Sequence, residues 1–408
     1  MSNQNLMERL LEGVEVEWKA LGKVGEFVRG NGLQKSDFTE SGIGCIHYGQ
    51  IYTYYGNFAY KTKSFVSPSL ATKLRKAQKG DLIIATTSEN IEDVCKTLVW
   101  LGDEEVCVSG ETYIFKHNQN PKFLAYYLQT PVFFDFKKQN QTGTKVIRVH
   151  GDKLSKFPIP IPPLEIQSEI VRILDTFTEL TTELTTELTA RKKQYTYYRD
   201  QLLTFEEGQV EWKPLGDVTL PTSNIRWREN DKTYRYIDLT SVSRDNNTII
   251  ETSEINAENA PSRAQKIVLK NDVIFATTRP AQQRLCLIDD EYSAEIASTG
   301  YCVLRAKTDE VLPKWIFFHI TSTDFKSYVE ENQSGSAYPA ISDAKVKEFK
   351  IPIPSPTEQA RIVAILDKFD ALTNSITEGL PHEIELRQKQ YEYYREMLLS
   401  FPKPKVPQ

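Results

Sequence analysis

No stretch of this 408-residue chain is apolar for long enough to suggest a membrane span, which needs about 20 consecutive apolar residues. The opening MSNQNLMERLLEG has no basic segment, no apolar run after it and no small-residue cleavage site, so no secretory leader is read there. It predicts a short amphipathic helix within 1–15, with Leu6 and Leu10 four apart. Cysteine is scarce and odd in number: Cys45, Cys95, Cys107, Cys286 and Cys302 are scattered. No CxxC and no histidine pair at metal-ligand spacing accompanies them, and the CxH of Cys45 and His47 stands alone. Buried, inert thiols in a reducing cytoplasm are expected, with no metal site. The net charge of −5 excludes a bulk polycation but not a local basic face.

Catalytic signatures are missing too. There is no GxxxxGK[ST] phosphate loop, no GxGxxG after a strand, no HExxH and no GxSxG elbow. The FxGxG and NPP[FY] motifs of adenine-N6 methyltransferases do not occur. The acidic pairs Glu104-Glu105 and Asp289-Asp290 sit beside turn-like sequence and read as solvated loops. What remains is a binding protein, long enough for two or three domains.

The chain is written twice. Val16–Gly22 reads VEWKALG and Val210–Gly216 reads VEWKPLG. Phe157–Phe177 reads FPIPIPPLEIQSEIVRILDTF, and Phe349–Phe369 reads FKIPIPSPTEQARIVAILDKF. Arg191–Phe205 and Arg387–Phe401 read RKKQYTYYRDQLLTF and RQKQYEYYREMLLSF, identical at 10 of 15 positions. A duplication of about half the chain explains this. Two less similar segments lie between the repeated frames, with two landmarks in common. GDLIIATT (Gly80–Thr87) matches NDVIFATT (Asn271–Thr278), and NQTGT (Asn140–Thr144) matches NQSGS (Asn332–Ser336). One scaffold thus carries two different surfaces.

The repeated frame is helical. Apolar residues at Ile166, Ile170, Ile173, Phe177, Leu180, Leu184, Leu188, Tyr195, Tyr198 and Leu202 follow the steps of a coiled-coil seam with one four-residue stutter. The second copy runs Ile362, Ile365, Phe369, Leu372, Ile376, Leu380, Ile384, Tyr391, Tyr394 and Leu398 and holds one further four-residue unit. Each seam needs a helix of about 40 residues, and two in one chain pack most simply on each other, antiparallel. The alternative is a seam packed on its own globular domain. Pro381 predicts a kink, or a restart with proline in a first turn. Ser355-Pro356-Thr357-Glu358 reads as a capping box, and the IPIP runs read as extended connectors. In the first seam Thr178–Thr189 is TELT three times, a length setting of about 6 Å per copy.

The variable segments predict strands at Asp81–Thr87, Thr112–Lys116, Asp272–Thr278 and Gly300–Arg305, and helices at Pro121–Leu128 and Pro313–Ile320. Both read as α/β domains with a twisted sheet. Their cations suggest nucleic acid. Lys61, Lys63, Lys73, Arg75, Lys76 and Lys79 fall within 19 residues without an acid, just after Tyr52, Tyr54, Tyr55 and Tyr60. A solvated loop is the competing reading. The second segment has Arg226 and Arg228 around Trp227, with Arg263 and Lys266 further on. Its strand end, Thr277, Thr278, Arg279, Gln282, Gln283 and Arg284, carries the residue types that read guanine and adenine edges. The matching place in the first copy begins at Thr86 and Thr87 and is acidic. The glycine loops, with Thr144, Lys145, Ser336 and Tyr338, are tight turns first and sites of close phosphate approach second.

The two IPIP leads with QxxI(V)xILDxF, the two RKxQYxYYRxxLLxF exits, the VEWKxLG starts and the TELT repeats resemble the specificity subunits of type I restriction–modification systems, the type IC group in particular. The resemblance spans nearly the whole chain. It implies an α+β fold with a pseudo-two-fold repeat. Target recognition domains at 16–155 and 210–347 each read half of a split sequence in double-stranded DNA. Two long helices, in 156–209 and 348–408, form an antiparallel coiled coil between them, with Leu180, Leu184, Leu188, Leu372, Ile376 and Ile384 in the spacer. It further implies two modification (methyltransferase) subunits and restriction subunits as partners, in the cytoplasm and away from membranes. S-adenosylmethionine, ATP and magnesium belong to those partners, and this chain has no catalysis of its own. The alternatives are the recognition portion of a single-chain methyltransferase–nuclease, or a coiled-coil scaffold with no DNA role.

Overall fold

The computed structural model describes residues 6–206, 208–375 and 377–402. The chain divides into two compact units. One is Met1–Leu180 with Arg387–Gln408, and the other is Thr181–Leu386.

Unit one has a five-stranded sheet in the order Gly25–Arg29, Thr112–His117, Leu82–Ala85, Lys96–Trp100, Phe58–Ala59. A second sheet runs Ser64–Val66, Ile43–Ile46, Val106–Val108, Lys76–Ala77. Leu82–Ala85 is an unbroken apolar run because both its faces are covered. Leu82 and Ile84 pack toward the helices, while Ile83 and Ala85 enter the core shared with Ile46 and Val108 of the second sheet. Unit two repeats this. Its sheets run Thr219–Leu220, Tyr301–Ala306, Val273–Ala276, Leu285–Leu287 and Ser253–Ile255, Tyr234–Ile237, Ile296–Ser298, Ala264–Ile267. Val273 and Phe275 face one core, Ile274 and Ala276 the other.

The expected strands are present, trimmed to Leu82–Ala85, Thr112–His117, Val273–Ala276 and Tyr301–Ala306, and the expected helices are Pro121–Tyr127 and Pro313–Thr321. Pairing within the sheets is mostly antiparallel, so each domain is α+β in character and not the α/β layering expected from sequence. Before each central strand the chain turns at Gly80 (φ 92°) and Asn271 (φ 69°), two residue types that tolerate the left-handed region. The next residues, Asp81 and Asp272, each accept a backbone N–H at 2.8 Å and pair with Lys116 (3.4 Å) and Arg305 (2.7 Å).

The IPIP runs are strands. Pro158–Ile161 pairs with Glu17–Ala20, and Lys350–Ile353 with Glu211–Pro214, so each VEWK start is stitched to the lead of its long helix. The first long helix is continuous over Leu164–Leu203. Its threonine hydroxyls bond back one turn within it: Thr185, Thr186 and Thr189 donate to the carbonyls of Thr181, Thr182 and Thr185 at 2.7–2.9 Å. The second is interrupted, by the restart that Pro381 suggested. It is two helices, Pro356–Asn374 and Gly379–Leu398. Gly379 (φ 75°) sits where a Cβ would lie 2.4 Å from the Ala371 carbonyl, so the chain restarts there with Pro381 in the first turn, where its missing N–H costs nothing. Ser355 caps the first piece by accepting from Glu358 N at 3.3 Å, while the Glu358 carboxylate pairs with Arg361.

The seam is shared between two kinds of neighbour. In unit one Ile170, Val171 and Leu174 are buried in the domain core, and Phe177 stacks on Tyr394 at 5.1 Å. In unit two Tyr195 and Tyr198 stack on Phe369 at 6.3 and 6.0 Å. Leu180 and Leu372 are 39% and 37% exposed, Leu184, Leu188 and Ile384 are half-buried, and Ile376 lies outside the described residues. The N-terminal helix, Leu6–Leu10, buries Met7, with Leu10 and Leu11 packed beside it. All five cysteines are buried and free, and burial pushes the Cys45, Cys95, Cys286 and Cys302 thiols up to about 12. Among the described residues no helix is long and apolar enough to cross a membrane, and no His/Cys/Asp/Glu group could hold a metal.

A fully buried glutamine fixes each long helix to its domain. Gln167 accepts from Asn120 N at 3.0 Å and donates to Pro162 O and Gln119 Oε1 at 2.8 Å. Gln359 accepts from Leu312 N at 2.9 Å and donates to Glu310 O and Pro354 O at 3.0 Å. Gln167→Leu strands a part-buried N–H and a buried carbonyl, the latter at about 1–3 kcal/mol. A loss of about 3 kcal/mol is expected in chemical unfolding; a loss below about 0.5 kcal/mol would refute this role.

His319 is fully buried, 4.8 Å from the Trp315 ring, and its Nε2 has no partner among the described residues. Burial pushes its pKa down to about 3, against about 6.5 in an unfolded chain. Between those values the unfolded state binds the proton and the folded state does not. Its stabilising effect is therefore whole above pH 6.5 and declines as pH falls toward 3. The melting temperature should drop on acidification below pH 6.5, and less steeply in His319→Phe, measured by calorimetry.

Candidate nucleic-acid interface

Beyond the last ladder pair of each central strand the chain leaves the sheet in the same way. Thr86 N donates to Glu111 O at 3.0 Å, and Thr277 N to Gly300 O at 2.8 Å. Glu111 in the first domain thus occupies the place of Gly300 in the second. The glycine loop returns to this point. Thr142 and Arg148 exchange two backbone bonds of 2.8 Å, and Ser334 and Ala340 exchange two of 2.9 Å. Val149 N then bonds to Thr86 O, and Ile341 N to Thr277 O. Gly143 (φ 90°) and Gly335 (φ 95°) sit where a Cβ would come within 2.1 Å of Val146 O and 3.0 Å of Tyr338 O. The turn itself therefore demands glycine, the first of the two readings given above. Each domain ends in a tip where strand end and glycine loop are pinned together.

The second tip carries the strand end singled out above. Arg279 (φ 50°) and Gln283 (φ 51°), both left-handed, bracket the short turn Pro280–Gln282. Non-glycine residues held there cost about 1–3 kcal/mol each, and such strain gathers at functional sites. The loop is held by Arg279 N on Pro339 O at 2.7 Å. The Arg279 guanidinium lies 5.1 Å above the Tyr338 ring, and that ring is 71% exposed. Ser336 is exposed beside it, and Gln282 is half-buried. Thr277 and Thr278 are taken up in backbone pairing. Arg284 donates to Val242 O and Gln283 Nε2 to Pro280 O, so these two side chains brace the loop.

The other basic candidates of this domain divide. Arg226, Arg228 and Arg263 are exposed, with Arg226 3.7 Å from Glu229. Lys266 is not available: its Nζ donates to Tyr301 O at 2.6 Å and to Asp343 at 2.5 Å, and the side chain is 15% exposed. The sequence reading of Lys266 as a DNA contact gives way to that of an internal strut.

In the first domain the six-cation run does not form one patch. It straddles the second sheet, with Lys61 and Lys63 beside its Ser64–Val66 edge and Lys76 and Lys79 at its Lys76–Ala77 edge. Lys76 pairs with Glu105 at 3.5 Å and Lys79 with Asp103 at 2.7 Å, so these two meet the acidic loop. Lys63 lies 4.5 Å above the exposed Tyr54 ring, and Lys61, Lys73 and Arg75 are exposed. Thr144 and Lys145 are exposed at the tip. Thr86 and Thr87 are buried there, and the Thr87 hydroxyl donates to Glu111 Oε2 at 2.6 Å.

Two tip residues were missed in the sequence. Arg29 ends the edge strand and lies 3.9 Å from Glu111, while Arg148 follows the glycine loop and lies 3.7 Å from the same carboxylate. Neither stands in a cationic run, and only the fold brings them together. The one signal was the position of Arg148 four residues after the matched NQTGT.

A family model described as "Type I restriction modification DNA specificity domain" matches the chain twice, over 13–192 and 209–386. The chain is 36% identical to the type I restriction enzyme EcoR124I/EcoR124II specificity subunit of Escherichia coli, covering 100% of this chain and 99% of that one. It is 31% identical to the EcoprrI specificity subunit of Escherichia coli over 93% of each chain. A solved type I restriction–modification S subunit from M. genitalium shares the fold over 96% of this chain and 98% of that one, with a TM-score of 0.53 and 14% identity. Two pinned tips on a duplicated scaffold, matched twice by one family model, make this chain a member of the type I restriction–modification specificity subunits.

Proposed function

We propose that each recognition domain reads one half of a split duplex DNA target through its tip, and that the helices hold the two halves at a set spacing. The observation that carries this is one backbone frame at both tips bearing different side chains, Glu111 with two arginines in one and Arg279 with Tyr338 in the other. Arginine forks match guanine edges, and different residues at one scaffold position select different bases.

The finer parts of the reading belong to the same proposal. The chain is type IC-like and acts in the cytoplasm. The stacking of Phe177 on Tyr394 and of Tyr195 on Phe369 supports an antiparallel pairing of the two long helices. The repeated frames dock two modification subunits, restriction subunits join them, and S-adenosylmethionine, ATP and magnesium stay with those partners. This chain contributes recognition and no catalysis. Selection from a randomised duplex library by the complex with modification subunits tests it: an enriched split motif is expected, and none at low salt would end the proposal.

Arg279→Ala should relax selection at one half-site by about 1–3 kcal/mol at one position. If selected sites stay the same and only the salt dependence falls, Arg279 contacts phosphate instead. Deleting Thr182–Thr185 removes one TELT unit, about 6 Å of helix and about 40° of rotation. At about 3.4 Å per base step that is a little under two base pairs. The selected motif should keep its half-sites and change its spacer; altered half-site bases would defeat the ruler.

A further inference from the structure

The first tip carries a built cluster. Glu111 accepts the Thr87 hydroxyl at 2.6 Å and stands 3.9 Å from Arg29 Nη2 and 3.7 Å from Arg148 Nε. Arg29 Nε is held by Gly110 O at 3.1 Å. The side chains of Arg29 and Arg148 are 62% and 50% exposed, and that of Glu111 is 34% exposed. Among the described residues neither Nη of Arg148 donates a hydrogen bond. One carboxylate therefore stands between two part-exposed guanidinium groups, and these three side chains together carry one net positive charge. Both ion separations exceed hydrogen-bond length, so the arginine forks keep donors to give.

The backbone places this cluster where the second domain has Arg279. Arg148 pairs with Thr87 as Ala340 pairs with Thr278, and Glu111 stands where Gly300 stands. The second domain thus draws its guanidinium from the strand end, while the first draws two from the edge strand and from beyond the glycine loop.

We infer that Arg29 and Arg148, positioned by Glu111, are the base-reading residues of the first domain, and that they select a guanine through its major-groove edge. Guanine presents two adjacent acceptors, which an arginine fork meets with two donors. Glu111 is a positioning residue, since its free oxygen capacity faces the arginines. This rests on the proposal that the tips read DNA.

The test uses the full chain with its modification subunits and the randomised duplex library. Wild type, Arg29→Ala, Arg148→Ala, Arg148→Lys, Glu111→Gln and Arg279→Ala are compared, with melting curves confirming folding. Arg148→Ala and Arg29→Ala should each lower preference for a guanine by about 5- to 100-fold in the half-site that Arg279→Ala leaves intact. Arg148→Lys should restore overall affinity but not the preference, because lysine keeps the charge and loses the fork. Glu111→Gln should weaken the same guanine preference. If wild type selects no split motif, the DNA reading itself falls. If wild type selects one and both arginine variants keep every base preference, that reading stands and this inference is overturned. Full rescue by Arg148→Lys would likewise overturn it, showing phosphate contact only.

Discussion

The side-chain amide of one buried glutamine in each half holds the architecture together. Gln167 and Gln359 each accept from the backbone N–H just before a domain helix and donate to the proline carbonyl that leads into the long helix. Only a side chain with both a donor and an acceptor can make that pair of bonds, and no apolar side chain can replace it without orphaning buried groups. Ion pairs one or two turns on repeat the tie, Lys122 with Asp175 and Lys314 with Asp367, but the second is about two-fifths exposed and counts for little. The buried amide therefore sets the angle at which each long helix leaves its domain.

This rigid base explains how the two tips can differ at little energetic risk. The strands Leu82–Ala85 and Val273–Ala276 are buried on both faces, so neither could change without a cavity or a clash. Past their last ladder pair Thr86, Thr87 and Thr277 are still buried, and only the loop side chains beyond them meet solvent. There the chain needs only a glycine for the turn and backbone bonds to pin it. The side chains around those bonds can change from Glu111 to Gly300, or from Ala340 to Arg148, with the frame intact. On the proposed reading, specificity varies where stability does not depend on it.

The same division decides what could be read from the sequence. The duplication, the continuous first helix and the central strands were legible because each rests on a period or run of several residues. The second sheet was not: strands such as Lys76–Ala77 and Val106–Val108 are too short to show a period, and their partners lie far off in the chain. The grouping of cations was hidden for a related reason. Lys63 and Lys76, near in sequence, lie at opposite edges of a sheet, while Arg29 and Arg148, far apart in sequence, stand beside the same carboxylate. Lys266 looked like a surface cation until the fold placed Asp343 and the Tyr301 carbonyl beside it.

The two long frames also differ in a way that bears on spacing. The TELT units satisfy themselves: threonine hydroxyls bond back to their own helix and Glu187 pairs with Arg191 at 3.1 Å. The second frame has one more four-residue unit, yet its helices are 19 and 20 residues long against 40 in the first. One helix ends at Asn374 and the next begins at Gly379, so the second frame is longer in sequence without a longer unbroken helix. If the spacing is set by helix, it is set by the unbroken one, in which every residue added adds rise.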